Sequence, residues 1–137
     1  MLKFVESVVL FVPDINAAAR WYASLFGAQV NYENESFAYV RAPGVLYGFH
    51  PADEKCPGGV GGTTVYWEVE DIDAAVANLV ARGARLHRGP GKTSYGAGAA
   101  MLVCPFGCTI GLNCSTPESR IAIAGQGYQL GGAEGAA

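Results

Sequence analysis

The residues able to bind metal, move protons or attack a substrate are few in this chain: four cysteines, two histidines and 12 Asp and Glu among 137 residues. Cys56, Cys104, Cys108 and Cys114 form no CxxC pair, the usual mark of a thiolate knuckle or redox couple. A zinc cluster of Cys104, Cys108 and Cys114, with His50 or Cys56 as fourth donor, therefore has no recognised spacing behind it. Reduced thiols packing the turn Cys104-Pro105-Phe106-Gly107-Cys108 are the simpler reading. His50 stands before Pro51, as either a solvated loop residue or the border of a cavity. Gly58-Gly59-Val60-Gly61-Gly62 has the glycines of a phosphate loop but neither a Lys-Ser/Thr pair nor a Rossmann-type strand, and reads as a flexible linker. Glu68 and Arg41 remain: the carboxylate as a general base or the partner of a cationic ligand, the guanidinium as a receptor for an acidic group or an ordinary surface residue.

Half the residues are hydrophobic and 15% are charged, so apolar surface suffices for a core. The length is that of one domain. Nine basic against 12 acidic residues give a net charge of −3, with no Lys/Arg cluster to follow phosphates, which makes nucleic acid a poor partner. No apolar run reaches the ~18 residues of a membrane span, and no basic-then-apolar leader opens the sequence. The expectation is a soluble, cytoplasmic protein with no membrane partner.

An internal repeat organises these residues. Val12-Pro13-Asp14-Ile15-Asn16-Ala17-Ala18 recurs as Val69-Glu70-Asp71-Ile72-Asp73-Ala74-Ala75, and Gly27-Ala28-Gln29-Val30 as Gly83-Ala84-Arg85-Leu86. Pro43, Gly44 and Tyr47-Gly48-Phe49 return as Pro105, Gly107 and Ile110-Gly111-Leu112. A unit of this size buries too little surface to stand comfortably alone, so two copies should share one closed core.

Each copy reads alike. Val5 to Val12 is an apolar, β-branched run suited to a strand buried on both faces and stopped by Pro13. Asp14 caps a helix whose stripe is Ile15, Ala18, Ala19, Tyr22 and Phe26, and Gly27 ends it. The second copy offers Thr63 to Val69 as strand, Asp71 as cap, a stripe of Ile72, Ala75, Val76, Leu79 and Val80, and Gly83 as stop. Three short strands follow each helix: 29–32, 37–41 and 45–50, then 85–87, 99–103 and 109–113. Trp21, on the helix, and Trp67, on the helix-facing side of a strand, read as core. The fold class is α+β, with two pseudo-symmetric βαβββ modules, 1–57 and 62–116, in a single domain. Residues 117–137 form a C-terminal extension with little core-forming potential; if ordered, it should add an edge strand or cross a dimer partner through Ile121, Ile123, Tyr128 and Leu130.

The paired Val-x-Asp-Ile-x-Ala-Ala segments, the helix-terminal Gly-Ala, Tyr95-Gly96, and Cys-Pro-Phe-Gly-Cys before Ile-Gly-Leu resemble the vicinal oxygen chelate superfamily of glyoxalase I, extradiol dioxygenases, fosfomycin-resistance enzymes and bleomycin-resistance proteins. The resemblance runs from Val5 to Leu112. It implies eight strands curled into a cup-shaped half-barrel, as a homodimer, with Cys104 and Cys108 where relatives often carry Asp and Asn. It also implies that in catalytic members a divalent metal is held by His, Glu or Gln at four places, which here fall on Ser7, Gly48, Thr64 and Gly111. Hydroxyls and glycines do not replace the imidazole or carboxylate donors that zinc or iron needs. The expectation is no metal and no other cofactor.

If Ser7 faces the cup, strand alternation also turns Phe11, Thr64, Tyr66, Glu68, Gly48, His50, Gly111 and Asn113 inward, with Tyr39, Arg41 and Met101 on neighbouring strands. Such a cavity is aromatic with few polar groups, and the two glycines leave room for a flat ligand. An apolar cup would raise the pKa of Glu68 and suit it as a base, whereas a place at a hydrated rim would not. Two functions stand against each other, beside a blander third, a non-catalytic assembly or stress-associated domain with no ligand of consequence. One is metal-independent binding of a small hydrophobic or aromatic molecule, in the manner of bleomycin-resistance relatives. The alternative is a lyase, isomerase or dioxygenase with metal ligands moved to residues such as His50 and Glu68, or a metal-free enzyme with Glu68 as base.

Overall fold

The computed structural model of the chain describes residues 1–125. Among them eight strands and three helices follow one another as β1 (Ser7–Val12), α1 (Ile15–Phe26), β2 (Asn31–Asn34), β3 (Phe37–Ala42), β4 (Val45–Pro51), β5 (Tyr66–Glu68), α2 (Ile72–Ala81), β6 (Arg85–Lys92), β7 (Gly98–Val103), β8 (Thr109–Cys114) and α3 (Pro117–Ala124). The described residues divide into two compact units, one of Met1–Gly61 with Phe106–Cys108, the other of Gly62–Pro105 with 109–125. Each carries a four-stranded sheet, in the order β1-β4-β3-β2 and β5-β8-β7-β6. The two orders are the same order displaced by one repeat, so the α+β class and the doubled βαβββ motif are both present.

In the first unit, α1 forms where its caps predict. The Asp14 carboxylate accepts the Ala17 N–H at 3.0 Å, and Gly27 closes the helix at φ 61°, a left-handed conformation that favours glycine. Of its expected stripe Ile15, Ala18, Ala19 and Tyr22 are buried, whereas Phe26 is only partly so and Ala23 is buried in addition. The sheet answers with Ala38, Val40 and Ala42 from β3 and Tyr47 and Phe49 from β4, all buried. Tyr22 stands with its ring centroid 5.3 Å from those of both Tyr47 and Phe49. Burial of such side chains contributes about 1.5–3 kcal/mol each. Trp21 packs edge-on against Tyr22 and Phe106. The Cys108 thiol lies 3.8 Å from the Phe11 carbonyl, in keeping with a packing role.

The second unit is less densely buried. Asp71 caps α2 through the Ala74 N–H at 3.0 Å, yet of the expected stripe only Leu79 is fully buried and Val80 is 46% exposed. No helix among the described residues is long and apolar enough to cross a membrane.

Five sequence readings are corrected. Strand β1 begins at Ser7, Val5 is exposed, and only Val12 is fully buried, because β1 is an edge strand of its sheet. Strand β5 is confined to Tyr66–Glu68, leaving Thr63 and Thr64 before it. Strand β2 starts two residues later than its apolar residues suggest, and β6 runs on to Lys92 through two register irregularities. Residues 117–124 are helical and not an edge strand: Thr116 and Ser119 form a reciprocal capping box and Pro117 occupies the first turn, where its missing N–H costs nothing. Tyr128 and Leu130 lie outside the described residues.

Candidate functional site

The strand registers align the two glycines named above with equivalent neighbours. Gly48 on β4 is flanked by Val9 on β1 and Tyr39 on β3. Gly111 on β8 is flanked by Tyr66 on β5 and Met101 on β7. In both units an aromatic ring lies over the glycine. A Cβ on Gly48 would collide with the Phe37 ring, and a Cβ on Gly111 would meet Cγ, Cδ1 and Cδ2 of Tyr66 at 2.5–2.6 Å. The glycines are therefore required for close approach of a ring to the sheet.

In the first unit this face bounds a cleft of about 450 Å³ lined by Glu6, Ser7, Glu33, Phe37, Tyr39, Arg41, Leu46 and Gly48. The volume is that of an ordinary small-molecule site. Alternation explains the lining: Ala38, Val40 and Ala42 turn into the core, so Phe37, Tyr39 and Arg41 turn the other way. Ser7, Tyr39, Arg41 and Gly48 of the expected set come together here. Glu6 and Glu33 were not expected. Phe11 and His50 belong to the same unit but do not line the cleft; their rings stand 5.3 Å apart. The His50 Nδ1 lies 2.8 Å from the Pro51 carbonyl, an acceptor, so this nitrogen carries the proton and donates.

In the second unit Tyr66 is half-exposed over buried Gly111, and Met101 lies beside it in the register. The Thr64 hydroxyl is hydrogen-bonded to that of Thr109 at 2.7 Å. Glu68 is fully engaged. Its Oε1 accepts from Asn113 Nδ2 at 2.8 Å and from the Ser115 hydroxyl at 2.9 Å, its Oε2 accepts the Ser115 N–H at 2.8 Å, and Arg120 of α3 stands 3.8 Å away. Of the two settings open to Glu68, an apolar cup or a hydrated rim, its surroundings are not the apolar cup that would raise its pKa. Partial burial pushes the carboxyl up, but the Ser115 N–H, the Asn113 amide, the Ser115 hydroxyl and the Arg120 charge together outweigh it and hold it below the ordinary value of 4.5. Such a carboxylate is held as an anion and makes a weaker base than one in an apolar cup.

The donor set does not fit the metal that the fold's catalytic members hold. Gly48 and Gly111 offer no side chain and lie under rings, the Thr64 hydroxyl is committed to Thr109, and Ser7 offers only a neutral hydroxyl. Of the displaced candidates, Glu68 has both carboxylate oxygens engaged, and His50, whose Nδ1 donates to the Pro51 carbonyl, has Nε2 alone to offer. Among the described residues no three His, Cys, Asp or Glu side chains converge, and all four cysteines stand as thiols.

Each unit thus combines a βαβββ order of elements with a glycine covered by an aromatic ring. The chain matches the Glyoxalase/Bleomycin resistance protein/Dioxygenase superfamily over residues 5–112, and it belongs to that family. Solved structures share the fold. TnmS3, an antibiotic binding protein from Streptomyces sp. CB03234, is 24% identical with a TM-score of 0.67, over 84% of this chain and 98% of that one. The fosfomycin resistance protein FosX from Listeria monocytogenes, complexed with Mn(II) and sulfate, is 14% identical with a TM-score of 0.71, over 90% and 99%. A family enzyme from Burkholderia phytofirmans PsJN is 22% identical with a TM-score of 0.65, over 81% and 98%. No curated protein matches the chain.

Proposed function

We propose that this protein binds a small, flat hydrophobic or aromatic molecule without a metal. The observation that carries the reading is the repeated pair: Phe37 over Gly48 and Tyr66 over Gly111, an aromatic surface in each unit where catalytic relatives need metal donors. Binding at the first-unit cleft would proceed by desolvating the Phe37, Tyr39 and Leu46 surfaces and stacking a ring against them, with polar groups at the margin fixing orientation. That the antibiotic binding protein TnmS3 shares the fold is in keeping with a binding role. A cytoplasmic homodimer is part of the same proposal.

The test is fluorescence titration of a neutral three-ring aromatic, acridone, into wild-type protein and Phe37→Ala. Saturable binding that weakens about tenfold in the variant, equivalent to the loss of a stacking contact, is expected. Absence of binding, or equal affinity in the variant, would remove the cleft from the account.

A further inference from the structure

We infer that the first-unit cleft selects a flat organic cation, its ring held by Phe37 and Tyr39 and its charge by Glu33 and Glu6. The inference rests on the binding reading above and adds the charge of the ligand.

The placement of Glu33 follows from the backbone. Tyr32 lies opposite Ala38, a core-facing position, and its hydroxyl donates to Asn16 Oδ1 on α1 at 2.7 Å. The next side chain must therefore turn to the cleft. The register irregularity between Tyr32 and Asn34 leaves Glu33 without an opposite residue on β3, while Asn34 takes the place across from Phe37. Irregularities of this kind re-aim a side chain, and here a carboxylate is aimed into an aromatic cleft.

Glu6 enters from the other end, in the residue before β1, where its carbonyl accepts the Leu46 N–H at 3.4 Å. Arg41 lies opposite Leu46 on β3. Among the described residues no ion pair joins Arg41 to Glu6 or Glu33. The cleft thus holds two carboxylates against one guanidinium, beside two aromatic faces. An ammonium or iminium group gains from the ring quadrupole and from the carboxylates together, whereas an anion meets both as repulsion. Arg41 is left to take an acceptor oxygen of the same ligand, which would orient it along the cleft.

Three probes of one size separate charge from shape: proflavine, a flat aminoacridinium; neutral acridone; and anthracene-9-carboxylate. Each is titrated into wild-type protein, Glu33→Gln and the Glu6→Gln/Glu33→Gln double variant, at low and high salt, with circular dichroism confirming the fold. Proflavine should bind about tenfold tighter than acridone. The advantage should shrink in Glu33→Gln, vanish in the double variant and fall with salt. Equal binding of proflavine and acridone in every protein, or a preference for the carboxylate, would overturn the charge preference while leaving the binding reading standing. Failure of all three to bind would overturn both.

Discussion

Phe37 lies across Gly48, a glycine with no positive φ, so it is close approach of the ring, not backbone conformation, that demands glycine there. Tyr66 repeats the relationship with Gly111 in the second unit. A methyl group at either position has to push a ring off the sheet. Gly48→Ala is therefore expected to cost about 1–3 kcal/mol by overpacking and to weaken aromatic ligands, which urea melts and titration would measure together. A variant as stable and as competent as wild type would mean that Phe37 swings aside freely.

Glu68 carries a pH signature. Its carboxyl is depressed below 4.5 in the folded protein, so the stability it adds is fully present above the unfolded value and is lost as pH falls through the folded one. Glu68→Gln should therefore be less stable than wild type near neutrality and equal to it in strong acid. Because the group is 40% exposed, a penalty of about 0.5–1 kcal/mol is expected. Melting curves across the acid range read the difference. A penalty that grows in acid would show the sign to be wrong.

The two helix caps should behave independently. Asp14→Ala and Asp71→Ala each remove one side-chain acceptor from the first turn, at 3.0 Å in both helices, and each should cost about 1 kcal/mol. Their effects should add in the double variant, since the caps share no partner. Chemical denaturation of the four proteins checks this.

Thiol chemistry should divide the cysteines by depth. Cys56 and Cys114 are partly exposed and Cys104 and Cys108 are buried. In native protein an aromatic disulfide reagent should label the first two, and the second pair only on unfolding. Rapid labelling of Cys108 would contradict its packing against Phe11.

Much of this fold was legible because its signals are local and occur twice. Asp14 and Asp71 marked both helix starts, Tyr39 and Arg41 share one face of their strand by alternation, and Gly48 joins them through the family resemblance that places Ser7 and Gly48. What escaped lacks periodicity. Asn31-Tyr32-Glu33-Asn34 is an exposed edge strand with no apolar rhythm, so its true span, and with it Glu33, was hidden. The setting of Glu68 is legible in the sequence only as two alternatives, because its pKa is set in part by Ser115 and Arg120, which lie beyond β8 and carry no signal that they turn back onto it. The signal for α3 lay in Thr116-Pro117, a cap followed by a first-turn proline, but the weak apolar content of the helix concealed it.

The central claim is binding without metal, and the most direct measurement is calorimetric titration of acridone into chelator-treated protein, repeated after zinc, nickel, manganese and iron have each been offered and metal content measured. Saturable binding of equal affinity in the stripped and metal-exposed protein is the predicted result. Near-stoichiometric metal uptake, with ligand binding or turnover appearing only in the loaded protein, would contradict it.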